Sequence, residues 1–296
     1  NDNSSIGLSI TSLGAISLSS VTANSNTGDG AVIHNDSALT AQPVKLSGTN
    51  AFRGNGGVGL EVHTLGAITI SNLSASGNTG GDGASLISYQ AGAITLTGYN
   101  LFSDNSGYGL HAYGIGAIAV NSVTANGNGA DGIYLQNNAS AAADSVKITG
   151  TNVVQANVGT GLFLVSAGAV SAANLSALNN GVAGAYLDTS TGTGGVTFTG
   201  TNRFSGNGTL GLDLRSEGLV SLTQVTADDN GTRGLSLAGA PASVTITCGS
   251  VTHNGTFGIY TDSGGVLKLI GVVASGNLSA DLNPSESSWI ITRACP

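Results

Sequence analysis

The chain has 296 residues, of which 8% are charged, and its formal net charge is −8 with eight Lys and Arg residues in total. An acidic chain with so few basic side chains has little attraction for a phosphate backbone, so no nucleic-acid partner is expected. No apolar run approaches the roughly 18 residues that a membrane-spanning helix needs, so no membrane span is expected either. With 47 glycines and no sustained helical period, the chain is predicted to be all-β.

The first residues indicate a processed chain. It begins with Asn1 and contains no methionine, so we expect a secreted, extracellular chain that has lost a leader or has been cut from a longer precursor. Residues 1–6 are too short and polar for a helical cap. We expect them to form an edge segment that leaves the N-terminal end of the fold open.

Residues 7–280 carry an internal repeat of 23 to 29 residues, which is the mark of a solenoid. Each period places one asparagine at the equivalent position before a short loop, and a glycine that opens an apolar strand follows most of these asparagines. The asparagines are Asn26, Asn55, Asn78, Asn105, Asn128, Asn157, Asn180, Asn207, Asn230, Asn254 and Asn277. Identical amides one coil apart can hydrogen-bond along the axis, so a buried asparagine ladder is predicted. Glycine is expected at the following corner because it tolerates backbone angles that other residues resist.

One period contains three short segments with apolar residues at alternate positions, as in residues 59–82. Coils stacked about 4.8 Å apart would bury these apolar residues in one shared core. The columns that include Leu60 and Val62 are predicted to fill it. A longer period of 50 to 52 residues pairs the coils, and most even coils carry Gly-Thr-Asn or Gly-Tyr-Asn before the third segment.

The Asn-x-x-x-Gly corner, the strand Ala67–Ile70 and the in-register asparagines resemble right-handed parallel β-helix repeats of the pectate-lyase-like type. The string from Gly66 to Asn78 is also similar to repeats in large secreted surface proteins of filamentous bacteria. The resemblance implies a right-handed parallel β-helix of about 11 three-strand coils. That fold hosts lyases, hydrolases, tailspikes, adhesins and fibres, so it does not choose among functions.

Tyr134, Phe163 and Tyr186 occupy one outward column on three consecutive coils. Exposed aromatic residues in register favour a protein interface or a sugar-binding strip. Lateral packing against another rod is the preferred interpretation.

Acidic and basic residues follow on the same face, where Asp188 lies one coil before Asp213 and Arg215. Their predicted separation of about 5–8 Å is compatible with the paired carboxylates of glycosidases, and a solvated charge cluster is the alternative. The four histidines are scattered and no Cys/His metal spacing is present, so neither a metal nor a cofactor is expected.

The repeat stops near residues 281–296, where Pro284 interrupts the chain and Trp289 opens one more predicted strand. Cys248 and Cys295 are predicted to form a disulfide, within the chain or between chains. This segment is expected either to cover its own last coil or to dock on the open first coil of another subunit by strand addition, which would propagate a filament.

The few charges, the expected open end and the lack of a convincing catalytic set favour an extracellular structural protein. It would be a self-assembling subunit of a bacterial surface fibre, sheath or adhesin rod, joined head to tail or laterally. The alternative is a β-helix that binds or degrades a cell-surface polysaccharide, as a lyase, hydrolase or tailspike-like binder, through Asp188, Asp213 and Arg215.

Overall fold

The computed structural model describes residues 1–90, 92–139, 144–262, 264–284 and 289–295, and across these residues the strands pair in parallel from one coil to the next. Face one consists of β1 (Leu8–Thr11), β3 (Ala31–His34), β6 (Leu60–Thr64), β9 (Ala84–Ser88), β12 (Leu110–Gly114), β15 (Ile133–Asn137), β18 (Leu162–Ser166), β21 (Ala185–Asp188), β24 (Leu212–Arg215), β26 (Leu235–Ala238), β28 (Phe257–Thr261) and β30 (Ala280–Asn283). Face two contains β2 (Ile16–Ser19), β4 (Val44–Ser47), β7 (Ile68–Ser71), β10 (Ile94–Thr97), β13 (Ile118–Asn121), β16 (Val146–Thr149), β19 (Val170–Ala173), β22 (Val196–Thr199) and β31 (Ile290–Thr292). Face three contains β5 (Asn50–Ala51), β8 (Leu73–Ser74), β11 (Asn100–Leu101), β14 (Val123–Asn126), β17 (Asn152–Gln155), β20 (Leu175–Leu178) and β23 (Asn202–Ser205). Three longer strands run through both of the last two faces, namely β25 (Val220–Thr226), β27 (Ser243–Thr252) and β29 (Val266–Ser275).

The predicted all-β solenoid and its core columns are confirmed. Leu60 pairs in register with Ala84, and Val62 pairs with Leu86 on the next coil. All four side chains are fully buried. Each large aliphatic side chain that is removed from water in this way contributes about 1.5–3 kcal/mol, so the stack of coils supplies the core that no single coil could form.

The asparagine ladder is also confirmed. From Asn26 to Asn277, each side-chain Nδ2 donates to Oδ1 of the next asparagine at 2.9–3.1 Å. The backbone N–H of each asparagine donates to that same oxygen at 3.0–3.2 Å. Sequence analysis missed both ends of the ladder. Asn3 donates to Asn26, and Asn277 donates to the carboxylate of Asp281.

The corner glycines are required for a reason other than the predicted one. Gly161 does not adopt a left-handed backbone conformation, so an unusual backbone angle is not what selects glycine there. A Cβ atom at this position would lie 2.6 Å from the carbonyl oxygen of Gly184 and 2.7 Å from Nδ2 of Asn180. Glycine is needed because the ladder passes too close for any side chain.

A second set of asparagines explains the two-coil period. The second, fourth, sixth and eighth coils have two residues between the second and third faces where their odd-numbered neighbours have one, so the backbones do not stack regularly at this corner. Asn152 bridges the mismatch: its Oδ1 accepts from Val123 N–H of the preceding coil, and its Nδ2 donates to the Ala173 carbonyl of the following coil. The other asparagines that bridge coils in this way are Asn50, Asn100 and Asn202. We refer to these four residues as the bridging asparagines.

The described residues of the C-terminal segment pack against the protein's own last coils. Trp289 is 6% exposed and belongs to the hydrophobic core. Strand β31 pairs with β29, and Cys248 forms a disulfide with Cys295 of the same chain. The indole is therefore buried within its own chain, as expected for a segment that covers its own last coil, whereas contact of this segment with another subunit stays a prediction. The predicted boundary after residue 280 falls inside β30, since that strand still pairs with β28.

Residues 1–6 lie along the corner of the first coil. Thr27 N–H donates to the Asn3 carbonyl, and Gly28 N–H donates to the Ser5 carbonyl. The inward side chains Leu8 and Ile10 of β1 are only partly buried, because in this structure no further coil lies above them. Among the described residues, no helix is long and apolar enough to cross a membrane.

Candidate functional site on face one

The outward side chains of face one form two columns, because alternate residues of each strand point away from the core. One column runs through Glu61, His111, Tyr134, Phe163, Tyr186, Asp213 and Tyr260. The neighbouring column runs through His34, His63, Tyr113, Asp188 and Arg215. The candidate residues therefore share one sheet face.

The predicted column of Tyr134, Phe163 and Tyr186 is a continuous ring stack, which we call the aromatic column. The centroid of the Phe163 ring lies 4.8 Å from that of Tyr134 and 4.8 Å from that of Tyr186. The interplanar angles are 7° and 15°. The parallel strands set this spacing, since rings in register on neighbouring strands must stack at about the strand separation. The three side chains are half-buried, and because the rings stack face to face, their edges are the part that stacking leaves uncovered.

At its N-terminal end the aromatic column continues into residues that the sequence did not identify. The His111 ring contacts Tyr134 edge-on at 5.1 Å, and the Tyr108 ring lies 5.3 Å from Tyr134. His111 Nδ1 is 3.8 Å from an Asp82 carboxylate oxygen. Burial nevertheless lowers the pKa of His111 and raises that of Asp82, with the pair's mutual attraction opposing both shifts. For each group the cost of burying the charge outweighs the interactions that favour the charged form, which for Asp82 are first the hydrogen bond from Tyr108 N–H and then His111.

At the C-terminal end lies a cleft of about 510 Å³. It is lined by Asp213, Arg215, Arg233, Tyr260 and Asp262, among other residues. The Arg233 guanidinium lies over the Tyr260 ring at 3.8 Å, and that of Arg215 lies 5.6 Å from the Tyr186 centroid. This end therefore combines acidic groups with two arginines, each placed on an aromatic face.

Asp188 and Asp213 have different surroundings in this cluster. Asp188 accepts hydrogen bonds from the backbone N–H and the hydroxyl of Ser190 and from the hydroxyl of Tyr186. Asp213 lines the cleft, and burial raises its pKa, opposed first by Arg215. The two carboxylates lie diagonally across neighbouring strands, because Asp188 is in register with Arg215 and Asp213 with Tyr186. Asp213 therefore faces the cleft, whereas Asp188 is not among the residues that line it.

Sequence analysis missed one further group on face one, and it expected no metal site. His34 Nε2 lies 2.9 Å from Glu61 Oε1, and His63 Nε2 lies 3.8 Å from the same oxygen. The two imidazole rings stack with centroids 4.7 Å apart and planes within 3°. His34 and His63 are 29 residues apart in sequence but occupy one register position. Aligning the coils before searching for ligand spacings could have found them.

A family model described as "Right handed beta helix region" matches residues 6–180 of the chain. Searches of curated proteins and of solved structures gave no match.

Proposed function

Since the chain belongs to the right-handed β-helix family, whose fold serves many functions, we propose that it is a secreted structural rod that packs laterally against a second copy through face one. Its role would be that of a subunit in a bacterial surface fibre, sheath or adhesin rod. The observation that carries the proposal is the ring stacking in the aromatic column.

The stacking favours a protein partner over a sugar. A sugar ring packs on the open face of an aromatic side chain, but both faces of Phe163 are covered by Tyr134 and Tyr186 at 4.8 Å. What remains outside is a ridge of ring edges. Such a ridge suits a flat apolar partner, since interfaces are enriched in tyrosine and phenylalanine.

The order of residue types favours a second copy as that partner. Tyr134 and Tyr186 lie one coil before and one coil after Phe163. A two-fold axis through Phe163 would therefore bring Tyr134 of one molecule near Tyr186 of the other. A surface that complements itself in this way is what a two-fold homodimer requires.

The secreted location is part of the proposal, and the disulfide supports it. The disulfide joins Cys248 and Cys295, which are 47 residues apart in the sequence. Structural disulfides form and persist in oxidising compartments, such as the periplasm and the cell exterior.

The test is the dependence of molar mass on concentration, measured by sedimentation equilibrium. We expect the natural chain to associate, and Phe163→Ser to weaken this association at least 10-fold. Tyr99→Ser is the matched control, since Tyr99 is 83% exposed but lies at the corner between β10 and β11, away from face one. Circular dichroism would verify that each variant keeps its strands. A chain that stays monomeric at millimolar concentration, or a Phe163→Ser variant that associates normally, would refute the proposal.

The cleft beside the aromatic column supports one alternative, the binding of a cell-surface polysaccharide. Arg215 and Arg233 could hold acidic sugars while Asp213 accepts hydrogen bonds from hydroxyl groups. Polysaccharide binding that is lost in Asp213→Asn and kept in Phe163→Ser would favour this alternative over lateral packing.

A further inference from the structure

A third group on face one lies near the N-terminal end, on neighbouring coils and away from the aromatic column. His34 belongs to β3, whereas Glu61 and His63 belong to β6. Glu61 and His63 point outward from the same strand two residues apart, and His34 is in register with His63. The parallel pairing of β3 with β6 therefore brings three donor side chains to one place on the surface.

The three donor groups match a known type of metal site. One ligand atom from each of them lies within 4.8 Å of the other two. Two imidazole nitrogens and a carboxylate oxygen form the protein ligand set of many zinc sites that keep a further coordination position open. Nitrogen donors favour zinc and other late first-row metals over calcium or magnesium, which prefer oxygen.

The present geometry requires a modest adjustment to receive an ion. Zinc binds imidazole nitrogen at about 2.0–2.1 Å, so two such nitrogens in a tetrahedral site lie about 3.3 Å apart. The ligand atoms lie within 4.8 Å of one another and the ring centroids 4.7 Å apart, so one imidazole must turn its nitrogen toward that of the other. The side chains are 32%, 26% and 22% exposed for His34, Glu61 and His63. The proposed site requires that rotation about these side-chain bonds closes the gap.

We propose that His34, Glu61 and His63 bind a divalent transition-metal ion, of which Zn²⁺ is the representative. Glu61 Oε1 faces both imidazole nitrogens and supplies the anionic ligand. Because the ligands come from two neighbouring coils, the ion fixes one coil on the next. The coordination positions that the protein leaves open face solvent and accept water. This proposal does not depend on the association of two rods.

The experiment uses the full chain without a polyhistidine tag, first dialysed against a chelator. Zinc binding is measured by isothermal titration calorimetry, and coordination by the visible absorption of bound Co²⁺. We expect one ion per chain and a Co²⁺ spectrum typical of a site with nitrogen and oxygen ligands. The melting temperature should rise with zinc concentration, because an ion that binds the folded state alone stabilises it.

Two substitutions should remove the site. Both His63→Gln and Glu61→Gln are expected to weaken zinc binding at least 10-fold and to abolish the zinc-dependent rise in melting temperature. His111→Gln is the matched control, since His111 is another half-buried histidine of face one but lies two coils beyond His63. If His63→Gln fails to fold, Glu61→Gln decides alone, because it preserves size and changes only the charge.

The possible results separate the proposal from a simple hydrogen-bonded cluster. Unchanged zinc affinity in both site variants would overturn it, as would an equal loss in His111→Gln, because the ion would then bind elsewhere. Absence of zinc binding by the natural chain at millimolar concentration would show that the histidines and Glu61 form surface hydrogen bonds only.

Discussion

The ladder asparagines and the bridging asparagines use the same side chain in two different ways. In the ladder, each amide bonds to the next amide, so a chain of side-chain hydrogen bonds follows the axis. Each bridging asparagine instead stands between odd coils that carry a leucine or valine at its position, as Asn152 stands between Val123 and Leu175. Its partners are backbone groups.

The difference shows which constraint each corner imposes. At the ladder corner each coil from Asn26 to Asn277 places its asparagine in register, so one residue type can repeat and bond to its own copies. In the first nine coils the bridging corner alternates between one and two connecting residues, which leaves backbone N–H and carbonyl groups without regular partners. A buried polar group without a partner is costly, so a side-chain amide is placed where it can serve both neighbouring coils.

Removal of one ladder amide should have the largest effect. Asn128→Ala deletes four side-chain hydrogen bonds, which join it to Asn105, to the Phe102 carbonyl and to Asn157. The partners are buried and would remain unsatisfied, so we expect a loss of about 1–3 kcal/mol in the free energy of unfolding. Denaturant unfolding would measure it, and hydrogen exchange would show faster exchange of the Asn105 amide. An unchanged unfolding curve would contradict the structural role of the ladder.

Removal of one bridging amide should have a smaller effect. Asn152→Ala deletes three hydrogen bonds, one accepted from Val123 and two donated to the carbonyls of Thr149 and Ala173. We expect a loss of about 1–2 kcal/mol, with faster hydrogen exchange at Val123 in particular. Val123→Ala is a suitable control, because it removes a fully buried side chain from the same corner and leaves the bridging amide in place. If Asn152→Ala lowered the free energy of unfolding more than Asn128→Ala, the continuous chain of amides would not make the ladder asparagines more stabilising than the bridging asparagines.

Sequence analysis predicted those parts of the fold that depend on identical coils. The register of Leu60 with Ala84 follows from period-2 patterning, because a slip of one residue would expose the apolar column. The role of Asn152 was not predicted, since it depends on a difference in corner length between neighbouring coils. The reason for Gly161 was wrong because the close approach of Asn180 Nδ2 comes from another coil. Local sequence does not contain that distance.

The candidate sites show the same limit. Tyr134, Phe163 and Tyr186 were identified because three aromatic residues in one column are visible once coils are aligned. His34 and His63 share a register position too, but their partner Glu61 lies in the neighbouring column. A search along single columns therefore divides the cluster. The directions of the three side chains bring their ligand atoms together. These directions depend on packing in three dimensions, which the column pattern does not give.

The C-terminal end of the ladder allows the smallest and most specific test. Asp281 accepts hydrogen bonds from the backbone N–H of Asn277 at 3.2 Å and from its Nδ2 at 2.8 Å. A carboxylate suits this place because the last position of the ladder must accept hydrogen bonds from Asn277 and does not need to donate one to a further amide. Asp281→Asn keeps an accepting oxygen, so we expect a change within about 0.5 kcal/mol, whereas Asp281→Ala should cost about 1 kcal/mol. Both values should be smaller than that for Asn128→Ala, since Asp281 is partly exposed and water can replace the lost acceptor.

Denaturant unfolding of the three variants side by side would measure the order of their free energies of unfolding, with hydrogen exchange at the Asn277 amide as the local readout. If Asp281→Ala destabilised the chain as much as Asn128→Ala, the ladder would depend on its end as strongly as on its middle. Its strength would then come from cooperative polarisation along the whole chain of amides and not from the local partners of each one.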